Sequence, residues 1–213
     1  MNNARRFILF LLPALMLAGC QGGRGGGAGN DAGAPEGDLV GAHIGGDFTL
    51  TNQDGRPTRW ADFDGKYRLV YFGYTYCPDV CPIDLQHLMN GFHQFAKANP
   101  AKAAKVQPIF ITIDPERDTP DKVKAFIRQF DDKMVGLTGS ADEIAAVAKG
   151  YAVVYNKVKG GTPDSYLMAH TQLAYLMDPA GKPIAFIPTD DISTPVNEGD
   201  PAKVKAELDK WVQ

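Results

Sequence analysis

Two cysteines lie directly after a strongly apolar segment of this chain. The run 69–72 is typical of a buried strand, and Cys77 and Cys81 follow it closely, with Pro78 and Pro82 bracketing the start of a predicted helix. A cysteine at a strand-to-helix junction faces the positive end of the helix dipole, which stabilises its thiolate. The feature predicts a fold that presents a sulfur pair at the end of a strand.

The spacing of the two cysteines limits what they can do. Residues at i and i+4 share one face of a helix, at a separation of roughly 6 Å, which suits either a disulfide or a single soft metal ion between two sulfurs. The alternative is a disulfide with a purely structural role. However, closing so short a loop contributes only about 2 kcal/mol, against about 4.7 kcal/mol for a hundred-residue loop. Position and spacing therefore favour chemistry over stapling.

The N-terminal segment has the features of an export leader. Residues 1–19 combine two arginines with an apolar core that is too short to span a bilayer. The sequence Leu-Ala-Gly before Cys20 resembles the bacterial lipobox, in which the cysteine is lipidated and becomes the mature N-terminus. We expect a lipid on Cys20 and a domain anchored on the extracytoplasmic side of the bacterial cell envelope. An ordinary signal peptide cut nearby is the alternative.

Composition divides the remainder of the chain into two parts. Residues 20–38 are rich in glycine, cannot bury a core and are typical of a flexible tether, whereas residues 39–213 suffice for one domain. Of the three cysteines, lipidation would leave Cys77 and Cys81 as the free thiols. The formal net charge is −3 and no basic stripe is visible, so nucleic acid is not an expected partner.

The order of the predicted elements indicates an α/β fold. A leading hairpin turns at Asp54-Gly55, and the cysteines precede a helix with an apolar stripe of period 3.6. A capping box formed by Ser140 and Glu143 starts a later helix, and a polar loop 157–165 leads to His170 and the apolar run 173–177. A thioredoxin-like fold, with a central mixed sheet flanked by helices, fits this order best. The other predicted elements are strands at 106–113, 135–138 and 184–187, a helix capped at 119–121 and a closing helix.

Four segments of the sequence resemble the Sco/SenC copper proteins. They are residues 71–82, 112–120, 135–139 and 170–181, and the resemblance runs from about Ile44 to the C-terminus. It implies a thioredoxin-like domain that binds one copper ion, Cu(I) or Cu(II), through Cys77, Cys81 and His170. Family members serve the assembly of the dinuclear copper centre of cytochrome c oxidase, as metallochaperone, thiol reductant or both. The implied partner is the copper-centre subunit of the oxidase or another copper-site protein.

The chemistry of these side chains agrees with that expectation. Thiolates are soft ligands that suit Cu(I), and an imidazole adds a ligand that Cu(II) favours. Because His170 is distant in sequence, only the fold can bring it to the sulfurs. His43, His87 and His93 match no ligand pattern and are expected at the surface.

Three carboxylates match family positions. Asp79, Asp114 and Asp118 could orient a ligand or steer a partner, although Asp-Pro and Asp-Thr-Pro segments are also ordinary turn and cap chemistry. The chain departs from many relatives at Ala169, where they carry an acidic residue before the histidine. This departure removes no ligand from the expected site.

Rival interpretations use the same cysteine pair. A membrane-tethered thiol–disulfide oxidoreductase that reduces the cysteines of a copper-site partner is the main alternative. Such thioredoxin-like enzymes usually carry two residues between the cysteines, where this chain has three. A peroxiredoxin would need threonine and proline in place of Tyr74 and Val70. A passive lipoprotein with a structural disulfide is the third possibility, and the metallochaperone is favoured over a turnover enzyme.

Overall fold

The computed structural model describes residues 38–158, 166–189 and 199–213. The predicted leader 1–19, the lipid site at Cys20 and all but the last residue of the tether 20–38 lie outside these ranges. They stay predictions, as do the bounds of the domain. The described strands are β1 (Thr49–Asn52), β2 (Pro57–Arg59), β3 (Tyr67–Gly73), β4 (Val106–Thr112), β5 (Val135–Thr138), β6 (Tyr155–Val158), β7 (Leu167–His170), β8 (Ala174–Met177) and β9 (Pro183–Ile187). The described α-helices are α1 (Val80–Ala98), α2 (Pro100–Ala103), α3 (Pro120–Ile127), α4 (Ala141–Gly150) and α5 (Pro201–Trp211).

The main sheet is mixed, as predicted. Its seven strands lie in the order β2-β1-β5-β4-β3-β8-β9. The central strands β5, β4 and β3 are parallel, whereas β1 and β8 pair antiparallel with β5 and β3. Every residue of β3 is buried, because helices cover both faces of a central parallel strand.

The two faces of the sheet carry different helices. Tyr71 and Phe110 lie side by side in the β3–β4 register, on the face that α1 and α3 cover. On the opposite face, the ring of Phe72 lies 5.1 Å from that of Tyr151, which directly follows α4. The site described below lies on the first of these faces, at the carboxyl ends of β3 and β4, where open α/β sheets usually carry their ligands.

The helices follow the predicted patterns closely. The buried stripe of α1 matches the 3.6-residue period, and Gly91 in this stripe lets α1 approach Val204 of α5. The capping box of Ser140 and Glu143 is present at the start of α4. Thr119 does precede α3, with Pro120 in its first turn, but its side chain makes no capping hydrogen bond. Within the described residues, no helix combines the length and apolar composition needed to cross a membrane.

A second, two-stranded sheet carries His170, and the sequence interpretation missed it. We predicted a polar loop at 157–165, followed by a strand that began after His170. Instead, β6 and β7 pair antiparallel, with Tyr155 opposite His170 and Val158 opposite Leu167. Among the described strands, this ribbon is not hydrogen-bonded into the main sheet. The position of His170 therefore depends on the contacts that attach the ribbon to the domain.

Candidate metal centre

The cysteine pair spans the start of α1. Since the helix begins at Val80, Cys77 precedes it and Cys81 lies in its first turn. The prediction that both cysteines share a helix face is therefore wrong in detail. Instead, the loop folds back so that Cys77 Sγ accepts the backbone N–H of Cys81 at 3.3 Å. A sulfur thus satisfies one of the donors left open at the helix N-terminus.

His170 completes the group from the other side. Its Nε2 lies 3.3 Å from Cys81 Sγ, and its Nδ1 lies 2.9 Å from the carbonyl oxygen of Thr171. Because a carbonyl only accepts, this contact places the hydrogen on Nδ1. The lone pair of Nε2 is then directed at Cys81, and a backbone bond of this kind is a common way to orient a metal-binding imidazole.

Two tyrosines enclose the imidazole. The rings of Tyr71 and Tyr74 stand edge-on to His170, at centroid distances of 6.5 and 6.1 Å. Tyr71 is held in turn by a hydrogen bond of 2.8 Å from its hydroxyl to Asp84. The Tyr74 hydroxyl contacts both the Cys77 side chain and the backbone of Met168, and so links the cysteine loop to the ribbon. Local sequence patterns gave these tyrosines no role beyond the family match.

There is little free space around the sulfur of Cys81, the more buried of the two cysteines. A Cβ on Gly73 would lie 3.3 Å from Cys81 Sγ and 3.1 Å from the ring of Phe110. Glycine at the end of β3 therefore allows the buried thiol to lie against the strand. Cys81 has 0% exposure, whereas Cys77 is half-buried, and neither forms a disulfide.

The environment separates the proton affinities of the two thiols. The hydrogen bond with Cys81, helped by backbone N–H groups of Asp79 and Cys81, lowers the pKa of Cys77 to about 5. The same interaction, together with burial, raises the pKa of Cys81 above that of an ordinary thiol. Burial lowers the pKa of His170. At neutral pH the group is thus a thiolate, a thiol and a neutral imidazole.

The three predicted carboxylates have different surroundings. Asp118 is buried and accepts hydrogen bonds from the backbone N–H and hydroxyl of Thr75, at 2.9 and 2.6 Å, and from the hydroxyl of Thr112. Asp114 is also buried and pairs with Arg117. The side chain of Asp79 is exposed, and its contribution to Cys77 comes from its backbone. Thus two of the three carboxylates brace the loops around the sulfurs.

The surface position expected of the remaining histidines holds for His43 and His93, whereas His87 is only partly exposed. His43 and His93 are exposed, and His93 pairs with Asp131 at 2.7 Å. His87 is partly buried on α1. Ala169 is exposed next to His170 on β7, where successive side chains alternate between faces, so an acidic residue there would point away from the imidazole.

Chemically, the group offers two sulfurs and one imidazole nitrogen. These donors suit a soft or borderline metal such as copper, and the sulfur pair alone suits two-electron thiol–disulfide exchange. Within residues 38–158, 166–189 and 199–213, no three His, Cys, Asp or Glu side chains are already arranged as a finished metal site. The contacts among Cys77, Cys81 and His170 are pairwise.

Curated proteins similar to this chain include ones from animals, a plant and fungi. The mitochondrial SCO1 homolog of mouse is 37% identical over 139 residues, covering 65% of this chain and 48% of the relative. The mitochondrial SCO2 homolog of cattle is 41% identical over 136 residues, covering 64% and 50%. The chain therefore spans about half the length of the curated relatives it matches.

These relatives correct one prediction from the leader. We expected a lipid-anchored location at the bacterial cell envelope. The curated relatives from mouse, cattle, Arabidopsis and budding yeast are instead named as mitochondrial proteins, so that prediction is wrong.

Solved structures confirm the predicted fold. The crystal structure of Arabidopsis thaliana ScoI with copper bound has a TM-score of 0.68 and 34% identity, covering 78% of this chain and 97% of that one. Bradyrhizobium japonicum ScoI with copper bound has a TM-score of 0.65 and 38% identity, covering 79% and 99%. Both are thioredoxin-like domains.

A family model supplies the last comparison. The model described as SCO1/SenC matches residues 37–203, which include both cysteines, His170 and all three carboxylates. This match agrees with the resemblance seen in the sequence motifs. The chain belongs to the SCO1/SenC family.

Proposed function

We propose that this protein binds one copper ion through Cys77, Cys81 and His170 and delivers it to the dinuclear copper centre of cytochrome c oxidase. The observation that carries the proposal is the 3.3 Å contact between Cys81 Sγ and His170 Nε2, with Nδ1 bonded to a backbone carbonyl. A histidine held in this tautomer offers its free nitrogen beside the sulfurs. Copper-bound relatives of similar fold support the choice of metal.

The donors fit copper in both oxidation states. Two sulfurs satisfy Cu(I) in near-linear coordination, and the imidazole adds the nitrogen that Cu(II) prefers. One thiolate already exists at neutral pH, and metal binding would displace the proton of Cys81. Binding would convert the pairwise contacts among the three side chains into shared coordination of one ion.

The test is copper stoichiometry on the reduced chain. We expect one equivalent of copper to survive dialysis against a competing chelator, and none in the Cys77→Ser or Cys81→Ser variants. The third cysteine provides the matched control, since Cys20→Ser should retain one equivalent. Retention of a full equivalent by the Cys77→Ser/Cys81→Ser double variant would refute the assignment of the site.

Delivery needs a second measurement. The copper-loaded protein is mixed with the soluble copper-centre domain of the oxidase, and copper is then quantified on each protein after separation. Transfer to the domain supports the chaperone role. Copper that stays on the Cys77/Cys81 pair at equilibrium with an empty, reduced acceptor would contradict it.

A second candidate is a thiol–disulfide reductase that prepares the same acceptor. The observation that favours it is the lowered pKa of Cys77 beside a buried, protonated Cys81, an arrangement that suits an attacking and a resolving thiol. The Cys77 thiolate would attack the acceptor disulfide. Cys81 would then release the acceptor as a dithiol and leave a disulfide on this protein. Two electrons and the Cys81 proton pass to the acceptor, and solvent supplies the second proton. The test mixes copper-free, reduced protein with the oxidised acceptor and measures free thiols on the acceptor. Their appearance would support this role.

A further inference from the structure

The Arg117 side chain lies between the two segments that carry the candidate ligands. Its guanidinium carbon is 3.6 Å from the ring centroid of Tyr166 and 4.7 Å from that of Tyr76. Tyr76 precedes Cys77 in the cysteine loop, and Tyr166 precedes β7, which ends at His170. One cation thus stacks on aromatic rings from both sides of the site, an arrangement that suits a planar guanidinium.

Asp114 fixes the guanidinium in place. Arg117 Nε donates to Asp114 Oδ2 at 2.5 Å, and Arg117 Nη1 donates to the backbone oxygen of Tyr166 at 2.9 Å. The Tyr166 hydroxyl donates to the other oxygen of Asp114 at 2.6 Å. Asp114 and Arg117 expose only 1% and 12% of their side chains. These three residues form a closed, charge-assisted set of hydrogen bonds, which we name the 114–117–166 clasp.

The clasp helps to attach the β6–β7 ribbon to the rest of the domain. Within the described residues, the β6–β7 ribbon makes no strand pairing with the seven-stranded sheet, and a two-stranded ribbon alone is only marginally stable. The same β4–α3 loop holds the cysteine side, because Asp118 accepts two hydrogen bonds from Thr75. One loop therefore braces both segments.

Resting on the three-ligand site proposed above, we propose that Arg117, held by Asp114 and Tyr166, is a positioning residue that sets the copper oxidation state the site prefers. Cu(I) is satisfied by the two sulfurs of the cysteine loop, which has its own support in the hydrogen bonds from Thr75 to Asp118. Cu(II) also needs the imidazole, and the ribbon brings the imidazole to the sulfurs. The clasp thus stabilises bound Cu(II) selectively.

The test compares Arg117→Met with a matched control. Arg59→Met removes another arginine that pairs with an aspartate three residues away, on the edge strand β2. In chelator competition we expect Arg117→Met to lose roughly ten- to a hundredfold in Cu(II) affinity, as for other residues that orient metal ligands. Cu(I) affinity should stay within about threefold of wild type, since both sulfurs remain. The Arg59→Met variant should match wild type for both ions.

A second variant guards against misfolding. Arg117→Met leaves Asp114 as a buried charge without its cation, so the fold is checked by circular dichroism. Tyr166→Leu keeps the Asp114–Arg117 pair and removes the stacked ring, and we expect the same selective loss of Cu(II). The sulfur-to-Cu(II) charge-transfer band should weaken or shift in both variants. Equal losses for both ions, or unchanged Cu(II) affinity in folded Tyr166→Leu, would overturn the inference.

A copper-free measurement separates this inference from the proposed function. Hydrogen–deuterium exchange in residues 166–170 should accelerate in Arg117→Met and Tyr166→Leu, and should not change in Arg59→Met. If wild type binds no copper through the cysteines, the proposed function fails, and the oxidation-state inference fails with it. If wild type binds copper and exchange in the ribbon is unchanged by either variant, only the inference is overturned.

Discussion

Cys81 Sγ and His170 Nε2 lie 3.3 Å apart although 89 positions separate them in the chain. The sulfur belongs to the first turn of α1, and the imidazole ends a strand that is not part of the main sheet. Their contact lies between tyrosine rings that restrict the imidazole. Little chain ordering would then remain to be done on binding of the proposed ion, which favours affinity.

Replacing the imidazole should separate the two oxidation states of copper. We expect His170→Ala to lose Cu(II) much more than Cu(I), because two sulfurs satisfy Cu(I) and leave Cu(II) under-coordinated. Bound Cu(II) should be released or reduced at the expense of the thiolates. Competition titration of each ion checks this, with His93→Ala on the exposed surface as the control. Equal losses for both ions would show that His170 is not the discriminating ligand.

The reactivity of Cys77 should show an unusual pH dependence. Its pKa is lowered to about 5 from 9.0, so the thiolate is already the main form at neutral pH. Alkylation by iodoacetamide should therefore rise with pH through about 5 and then level off, while an ordinary thiol keeps gaining reactivity into the alkaline range. In Cys77→Ser, the buried Cys81 should react slowly throughout. A rate that climbs only near pH 9.0 would contradict the lowered pKa.

Much of this site was predictable because its motifs are local. The buried run 69–72 predicted β3, and the apolar stripe of period 3.6 predicted α1. The segments that resemble the family pointed to both cysteines and His170 as the candidate ligands. The β6–β7 ribbon was not predictable in the same way. Three of the four residues of β6 are exposed, so the strand lacks the alternation that would mark it in the sequence.

The clasp could not be predicted from the sequence, for a different reason. Arg117 stands in an Asp-Pro-Glu-Arg-Asp segment that is typical of a surface turn. Its burial depends on Tyr166, whose backbone oxygen it reaches across 49 positions. No periodic pattern connects such distant residues, and only the folded chain shows that they meet.

Oxidation of the cysteine pair should abolish copper binding. A disulfide between Cys77 and Cys81 offers no thiolate, so only the reduced form can be loaded. Thiol counting defines each redox form, and equilibrium dialysis measures its copper content. Subsequent reduction should restore one equivalent, which provides the control for irreversible damage. Equal copper affinity of the two forms would place the site elsewhere.

Removing the Asp118 carboxylate should destabilise the cysteine loop. Asp118→Ala leaves the Thr75 backbone N–H and the buried Thr112 hydroxyl without this acceptor, and the free energy of unfolding should fall by about 3 kcal/mol. Urea denaturation of wild type and variant measures the change. Asp142→Ala, at an exposed position on α4, should change stability much less. A loss no larger than that of the control would show that the carboxylate does not brace the loop.

Gly91→Ala should destabilise the protein, although alanine favours a helix by about 1 kcal/mol. A Cβ at this position would lie 2.5 Å from Val204 Cβ and 2.7 Å from the backbone oxygen of Pro201. Because backbone cannot yield as a side chain does, we expect a net loss of about 2 kcal/mol in thermal or urea unfolding. Asn90→Ala, the exposed neighbour on the same helix, should be neutral or stabilising. A more stable Gly91→Ala would mean that α1 and α5 separate easily.

The contrast between a half-buried Cys77 and a fully buried Cys81 imposes an order on every exchange at this pair. An approaching electrophile, oxidant or metal ion meets the outer sulfur first, and a departing one leaves by the same route. In the proposed delivery of copper, the bond to Cys77 would break first and the bond to the buried Cys81 last. The lifetime of the loaded protein would then depend on how often the loop in front of Cys81 opens.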